Sequence, residues 1–563
     1  MTDPIPDAPE QQRRGLRAVV ATVVLVALLA AGGWYAGHMG STATQSVTAA
    51  RPKRSPVAGT HLFDQVMAAI SQRYVDSIDV STLYEKAVSG MLAELGDPYT
   101  SFLTETRLKS LDEGAPASYG GVGLQVNRRD GSLTVIEPIA GSPAAKAGVQ
   151  AGDRLVAIDG TTTFNMVQED AARALRGSPG SKVALTLERA GIPKRIQLTL
   201  VRDSVHRRSV SRTTILANGV GYVDVTMFSD KTVEELSQSI DSLTKVGAKS
   251  IIMDMRGNSS GTLAQGSALA ELFLDPGQVI VQLRSRPGAP PNTYADREVQ
   301  KWPSLAIGIL LDRGSAGAAE VVGGALQDHD RAIVVGTTSF GKGSAQSVIS
   351  LADGSGLRLT TERWFTSSGR GISRLTRLQR EIENGDVPLT PKDTVKPVFK
   401  SDAGRKIVGG GGITPDVQAA DSVAPEALQE LMRVMGNKLP TLRDAIGSQA
   451  LQIKSSGKFT SAGAPVTREY LDGLYADLVR RKSAPDRPTF DAASPWVGRS
   501  FGYEIARVTF GPDAEFARRS QDDVALQKAV QLLQGSRSPR EVFAHLESQQ
   551  KVEVQANRQP NNQ

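Results

Sequence analysis

The stretch from Gly314 to Gln346 constrains the fold most, because helix and strand signals alternate closely within it. Its segment AAEVVGGALQ predicts a buried helix with one early Glu, and RAIVVG predicts a short buried strand. This order places Ser315, Gly317, Lys342 and Gln346 near the ends of elements, where side chains can face a cleft. In some hydrolases a Lys amine takes the proton from a Ser hydroxyl, so the stretch favours a Ser-Lys site.

The composition excludes several other classes of function. A chain of 563 residues is too long for one core and predicts about three or four domains. Its 65 Lys and Arg are spread among 59 Asp and Glu without a basic stripe, so we expect no nucleic-acid partner. The absence of Cys excludes disulfides, thiolate catalysis and Cys-ligated zinc, and the five His lack metal-ligand spacing. We therefore predict no metal site and no cofactor.

An uncharged run of twenty residues, Ala18–Gly37, is long enough to span a bilayer as one helix. Arginines abut its N-terminal side, which favours a cytoplasmic tail at residues 1–17. We expect a single-pass protein of the cell inner membrane, with a linker at residues 38–60 and the bulk on the periplasmic or extracytoplasmic side. The alternative is a cleaved signal peptide, because AAGGWYAG offers small residues, and it also exports the bulk of the chain.

Two regions follow the linker. Residues 61–115 show helical periodicity and predict a helical pair followed by a connector. Residues 116–205 change to short alternating strands, with one helix predicted at 166–175. The loop in GGVGLQV leaves backbone N–H groups free to bind a carboxylate, and the strand after it can accept an extended peptide along its edge.

The segment GSPAAKAGVQAGDRLVAIDG in this second region resembles a PDZ domain closely. The resemblance implies that Gly121, Val122, Gly123 and Leu124 form a carboxylate-binding loop. It also implies that the partners are the unstructured C-terminal tails of proteins. The alternative is that GGVG is only a tight turn.

Strands and helices alternate again in residues 206–420. SIIMDM is an apolar strand that ends at the polar turn RGNSSG, and SLAIGILLD is a further apolar strand. Such alternation predicts a layered α/β core with its site at the strand ends. The whole chain is therefore predicted to be a multidomain α/β protein, in which a membrane helix and a helical segment precede the PDZ-like domain and an α/β core.

A series of motifs gives this core a family resemblance. The strings DMRGNSSG, VVGTTSFGKGSAQ, DGSGLRLTTERWFTSSGR and GGGGITPD occur in this order. Together they resemble the carboxyl-terminal processing peptidases, also called tail-specific proteases. The resemblance covers residues 61–417 and implies serine-type endopeptidase chemistry, with a PDZ domain that captures a tail and delivers it to a Ser-Lys-Gln centre.

The resemblance carries over to particular residues. Lys342 matches the general base and Gln346 the residue that orients it. Because a free Lys is almost entirely protonated at neutral pH, the base must be buried to act. A backbone N–H of Ser260 or Gly261, together with that of Ala318, matches the oxyanion hole.

The nucleophile does not carry over. The family pattern reads Ser-Ala-Ser-Ala-Ser-Glu with the middle Ser as nucleophile, and alignment on Glu320 and Lys342 puts that position at Gly317. Ser315 matches the first Ser of the pattern, two residues too early. Loss of a Ser nucleophile reduces kcat by about 10⁶. The sequence therefore predicts a protein that binds tails and cuts them poorly.

The C-terminal region, residues 421–551, is predicted to be helical, with one helix spanning EFARRSQDDVALQKAVQLL and a disordered tail at residues 552–563. Three functional hypotheses remain. The first is an exported tail-binding homologue with an impaired centre, in effect a pseudoenzyme. The second is an active endopeptidase that uses a displaced Ser such as Ser315, Ser339 or Ser344. The third is an adaptor that regulates a partner protease.

Overall fold

The computed structural model describes residues 56–112, 118–129, 132–164, 166–189, 192–374, 396–420 and 426–558. The predicted membrane span at residues 18–37 and the tail before it lie outside these ranges. None of the helices within them combines the length and the apolar character that a bilayer crossing requires. By its internal contacts the chain divides into two units after Gly90.

Helices dominate the beginning of the described chain. Helix α1 spans Pro56–Arg73 and therefore begins inside the predicted linker, and α2 spans Val80–Ala93. The rings of Phe63 and Tyr84 lie 6.3 Å apart between these helices. A short strand β1, Ser101–Leu103, and a helix α3, Glu105–Asp112, follow in the second unit.

The next region forms a small antiparallel sheet domain. Its elements are β2 Ser118–Gly121, β3 Leu124–Arg129, β4 Ser132–Pro138, α4 Pro143–Lys146, β5 Arg154–Ile158, β6 Thr161–Thr162, α5 Gln168–Leu175, β7 Lys182–Arg189, β8 Ile192–Val201 and β9 Asp203–His206. The strand order is β3-β4-β5-β7-β8, with β6 paired to β5, while β2 pairs with β9. Alternate residues of β7, Val183, Leu185 and Leu187, are buried, as a strand with one core face requires. Strand β3 is left at the edge of this sheet.

The core that follows alternates strands and helices. Its elements are β10 Val210–Ile215, β11 Val220–Val225, α6 Thr232–Lys245, β12 Ser250–Asp254, α7 Leu263–Glu271, β13 Val279–Arg284, β14 Asn292–Ala295, β15 Ala306–Leu311, α8 Ala318–Asp328, β16 Ile333–Gly336, β17 Ser344–Ser350, β18 Gly356–Phe365, β19 Val398–Lys400, β20 Lys406–Val408 and β21 Val417–Gln418. Six strands form the central sheet in the order β10-β11-β12-β15-β16-β21. All its pairs are parallel except that between β10 and β11. Strands β12, β15 and β16 are buried along their whole length, as parallel strands with both faces covered are.

A second, antiparallel sheet lies beside the central one. Its order is β1-β18-β13-β14, with β17 paired to β18. The register joins Ser101 of β1 to Arg358 of β18. This pairing attaches the connector after the helical region to the core, although the two segments are far apart in the sequence.

The C-terminal helices have two separate roles. They are α9 Glu426–Met435, α10 Leu439–Ser456, α11 Arg468–Arg480, α12 Arg487–Phe510, α13 Pro512–Asp522, α14 Val524–Leu533 and α15 Pro539–Arg558. Helices α9 to α12 form a bundle with its own apolar core. Helices α14 and α15 pack on the central sheet, where Leu526, Leu533 and Leu546 join the side chains of its strands. These last helices therefore complete the core and are not an appendage.

Two predictions for this region differ from the structure. The stretch expected to be one helix is divided at Asp523, which leaves the helical conformation (φ −82°, ψ 99°) and caps α14 by accepting the N–H of Leu526 at 2.9 Å. Asp523 also accepts two hydrogen bonds from Arg256 of the core. In addition, α15 continues to Arg558, through residues that were expected to be disordered.

Candidate active site

The candidate site lies at the carboxyl ends of three adjacent parallel strands, β12, β15 and β16. Loops at this edge of a parallel sheet commonly carry the functional residues of α/β proteins. Hydrogen bonds join the three loops: Gly257 N–H donates to the Asp312 carboxylate at 2.8 Å, and Ala316 N–H donates to the Asn258 carbonyl at 2.9 Å. Phe340 N–H donates to the Ser315 carbonyl at 2.9 Å. The loops therefore form one connected surface.

The Glu320 carboxylate links the two halves of the site. It is fully buried in the first turn of α8. One oxygen accepts the N–H groups of Gly317 at 3.1 Å and Lys342 at 2.9 Å. The other accepts the Gly341 N–H at 2.6 Å and the Ser339 hydroxyl. Burial raises the pKa of Glu320, and the four hydrogen bonds oppose that shift.

Gly317 occupies a turn that exposes its position to the cleft. It is the N-cap of α8, with φ 61° and ψ −113°, a conformation that side-chain-bearing residues rarely adopt. A Cβ atom placed there would meet only the Gly261 carbonyl oxygen, at 4.0 Å. A sharp strand-to-helix turn of this kind presents the nucleophile in the α/β hydrolases. The turn at Gly317 therefore has room for a side chain, but it carries no hydroxyl.

Two backbone N–H groups beside Gly317 suit an oxyanion hole. Ala318 is the first residue of α8, so no carbonyl of that helix can accept its N–H. Gly261 packs against it, because a Cβ on Gly261 would lie 3.0 Å from the Ala318 Cβ. The N–H of Ser260, by contrast, donates to Asn258 Oδ1 at 3.2 Å. Of the predicted donors, Gly261 and Ala318 are therefore the pair whose N–H groups have no acceptor among the described residues.

Lys342 is half-buried, and its N–H donates to the same Glu320 oxygen as that of Gly317. Its ammonium nitrogen lies 5.5 Å from the centroid of the Tyr99 ring. Burial lowers the pKa of Lys342, the positive charge of Arg358 lowers it further, and Glu320 opposes both effects. Arg358 is held in place because its Nε donates to the Tyr99 carbonyl at 3.1 Å. Burial and Arg358 thus move Lys342 toward the neutral form that a base requires.

Gln346 lies on β17, and its amide is engaged with that strand and the next. Its Nε2 donates to the Ser344 hydroxyl at 2.9 Å and to the Thr360 hydroxyl at 3.2 Å. These contacts do not bring it to the Lys342 amine. The role of Gln346 in orienting Lys342 therefore stays a prediction.

Two of the three candidate substitute hydroxyls are buried and already hydrogen-bonded within the protein. Ser315 is fully buried, donates to the Met255 carbonyl at 2.9 Å and accepts the Asp312 N–H at 3.0 Å. Ser339 is fully buried between Glu320 and the N–H of Ile413. Substrate cannot reach either group without disruption of these bonds. Ser344 is only half-buried, and its hydroxyl accepts from Gln346.

The predicted carboxylate-binding loop lies at one end of a groove between β3 and α5. The cavity here has a volume of about 440 Å³ and is lined by residues 122–126 and by Gln168, Ala172 and Leu175 of α5. Gly123 has φ 74°, and its carbonyl accepts a hydrogen bond from the Ser142 hydroxyl at 3.2 Å. In the described chain the N–H groups of Val122 and Gly123 have no acceptor. Edge strand, groove and free N–H groups together suit an extended peptide with a terminal carboxylate.

Sequence reasoning missed three residues of the site. Glu320 had a signal, since it is the one acidic residue in the apolar segment AAEVVGGALQ, but it was used only to align the motif. Tyr99 and Arg358 had no signal, because the pairing of β1 with β18 brings them to Lys342. A local pattern does not contain such a long-range pairing.

Comparison with known families gives three matches. Peptidase family S41 matches residues 219–383, a PDZ domain matches residues 134–189, and the N-terminal domain of the activating protease CtpB matches residues 27–106. The order of these matches agrees with the order of the regions in the structure.

Individual relatives are named as carboxy-terminal processing proteases. The chain is 34% identical to the carboxy-terminal processing protease CtpA of Bacillus subtilis over 57% of its own length and 69% of the relative. It is 34% identical to the carboxy-terminal-processing protease of Bartonella bacilliformis, over 55% of its own length and 71% of the relative. A solved photosystem II D1 C-terminal processing protease is 28% identical, with 67% of this chain and 97% of that chain covered at a TM-score of 0.36.

We predict that Glu320→Gln destabilises the protein by about 2–4 kcal/mol, because an amide can accept from only part of this group of donors and its NH₂ meets the others. Urea unfolding measures the loss, and hydrogen exchange should rise in residues 337–343. Glu234→Gln on α6 is the control, since that side chain is 57% exposed. Equal effects of the two substitutions would contradict the linking role of Glu320.

We predict that Lys342 loses its proton below the ordinary value of 10.5, and that Arg358→Gln moves its pKa back up by removing a neighbouring positive charge. The rate of amine acetylation at Lys342, followed by mass spectrometry from neutral to alkaline pH, gives the midpoint. Lys231, whose side chain is 52% exposed, reports the behaviour of the reagent at an open site. A midpoint that Arg358→Gln leaves unchanged would refute the electrostatic explanation.

Proposed function

Because the chain belongs to the family of PDZ-containing C-terminal processing peptidases, we propose that it binds unstructured protein C-termini through the β3–α5 groove and that its own cleavage centre is impaired. The observation that carries this proposal is the absence of a hydroxyl at Gly317. The proposal is supported by the turn at Gly317 and by the Glu320 carboxylate, which accepts the N–H groups of both Gly317 and Lys342.

The remaining groups can perform part of a peptidase reaction. The groove can hold a tail, and the N–H groups of Gly261 and Ala318 can polarise a peptide carbonyl. Lys342 can accept a proton when it is neutral. Without a Ser hydroxyl, no acyl-enzyme forms at Gly317. Loss of this group costs about 10⁶ in kcat, while binding and the oxyanion donors retain about 10³ over the reaction in water.

Export and membrane anchorage are also part of the proposal, and their support is the uncharged run Ala18–Gly37. We predict that the full-length protein stays in the membrane pellet after alkaline extraction, because a spanning helix resists removal at high pH. Deletion of residues 1–37 should release it to the supernatant. Loss of residues 1–37 from the mature protein, detected by N-terminal sequencing, would instead show a cleaved signal peptide.

We predict that Gly317→Ser raises the cleavage rate of peptides with apolar C-termini by about 10³-fold or more, because it supplies a hydroxyl at the position that aligns with the family's nucleophile. Ser adopts this turn with a strain of about 1–3 kcal/mol. Gly317→Ala is the matched control, since it adds the same backbone strain without a nucleophile. The measurement is the rate of peptide cleavage by the purified protein.

Two further variants complete this experiment. The double variant Gly317→Ser, Lys342→Ala should lose the gained activity. No gain with Gly317→Ser, in a protein that still binds the peptide, would show that the impairment extends beyond one residue. Lys342-dependent cleavage by the unmodified protein would contradict the impaired-centre proposal. If that cleavage were lost in Ser344→Ala, the half-buried Ser344 hydroxyl would be the nucleophile.

A further inference from the structure

A second cavity, of about 560 Å³, lies beside the candidate centre on the antiparallel sheet. It is bounded by the loop containing Tyr99, by the end of β13 and by β18, and both Gly341 and Ser344 contribute to its lining. It therefore adjoins Lys342 and is separate from the β3–α5 groove.

One face of the sheet under this cavity carries a row of arginines. Arg363 is directly opposite Ser344 on one side and Arg284 on the other. Directly opposite residues share a face, and like charges at such positions destabilise a sheet. Arg284 stacks on the Phe365 ring at 4.1 Å, which fixes its guanidinium on this face. Arg284 and Arg363 are both exposed, so a carboxylate of a bound peptide can lie between them.

The acidic residues of the lining do not neutralise this row. Asp97 accepts the Tyr99 N–H at 3.1 Å and the Thr100 hydroxyl at 2.6 Å, so its carboxylate is engaged within its own loop. Glu362 also lines the cavity, next to Arg363 in β18, and in the described part of the chain it forms no ion pair with an arginine of the lining. Among the described residues, Arg284, Arg286 and Arg363 form no ion pair with an acidic side chain. With three arginines against two acidic residues, the lining carries a net positive charge.

Strand β17 provides a path for a peptide into this cavity. In the described chain it pairs only with β18, so its other edge is open. Its residues Ser347–Ser350 are exposed. An extended polypeptide can add to such an edge and place alternate side chains on one face. A peptide aligned along β17 beside Lys342 would place side chains near the arginines.

We propose that this cavity binds acidic side chains of the polypeptide whose C-terminus occupies the β3–α5 groove. The inference rests on the proposed tail-binding function and names a class of tail: an apolar C-terminus preceded by an Asp- or Glu-containing segment. Arg is suited to this role because its planar guanidinium binds a carboxylate through two parallel hydrogen bonds.

The test compares two peptides of about 25 residues, which span about 80 Å when extended. They share an apolar C-terminal sequence and differ only upstream, where one carries Asp and Glu and the other Asn and Gln. Fluorescence anisotropy of the purified protein at low salt should show about fivefold tighter binding of the acidic peptide. The difference should shrink at about 0.5 M salt, because exposed charges are then screened.

Variants locate the effect. Arg284→Gln, Arg363→Gln and the double variant should remove the preference for the acidic peptide and leave the affinity for the neutral peptide unchanged. Arg540→Gln, an exposed arginine of α15 outside the cavity lining, is the matched control and should keep the preference. A photoreactive residue beside the acidic segment should crosslink to β13 or β18.

The outcomes separate this inference from the proposal on which it rests. If neither peptide binds, or if Gly123→Ala leaves binding unaffected, the tail-binding function fails. If both peptides bind equally, or if Arg540→Gln acts like Arg363→Gln, tail binding stands and the acidic subsite is overturned. Crosslinks confined to other parts of the chain would also overturn it.

Discussion

The buried carboxylate of Glu320 is the interaction on which the geometry of the site depends. It belongs to α8, yet three of its four donors belong to the segment after β16. A carboxylate removed from water is costly unless hydrogen bonds replace its hydration. Because these donors are backbone groups and one buried hydroxyl, the requirement fixes the main chain at both halves of the site. The relative position of Gly317 and Lys342 therefore does not depend on the side chain at position 317.

Much of this arrangement could be predicted from the sequence, and the limit has a physical cause. Apolar runs such as SIIMDM identify buried parallel strands, and the carboxyl ends of such strands meet at one edge. That logic was sufficient to place Lys342 and Gly317 near each other. Burial lowers the pKa of Lys342, and so does Arg358, which lies on β18 of the antiparallel sheet and donates to the Tyr99 carbonyl. Local periodicity does not specify which distant strands pair.

The C-terminal helices illustrate a related limit. An amphipathic pattern shows that a helix has a face to bury and does not identify the surface that covers it. Helices α9 to α12 bury their apolar faces against one another, whereas α14 and α15 bury theirs on the central sheet. The second face of that sheet would otherwise expose Ile252, Leu310 and Val335. The end of the chain is therefore required for the core that carries the site.

The backbone at Gly317 has a consequence for how such a site changes over time. With φ at 61° and ψ at −113°, the turn is comfortable for glycine and strained for a residue with a side chain. Loss of the side chain therefore releases strain at once, whereas its return must restore that strain before any catalytic benefit can appear. Folding stability alone therefore favours Gly over a residue with a side chain at this position. A side chain at this turn is retained only where its function offsets the strain that it introduces.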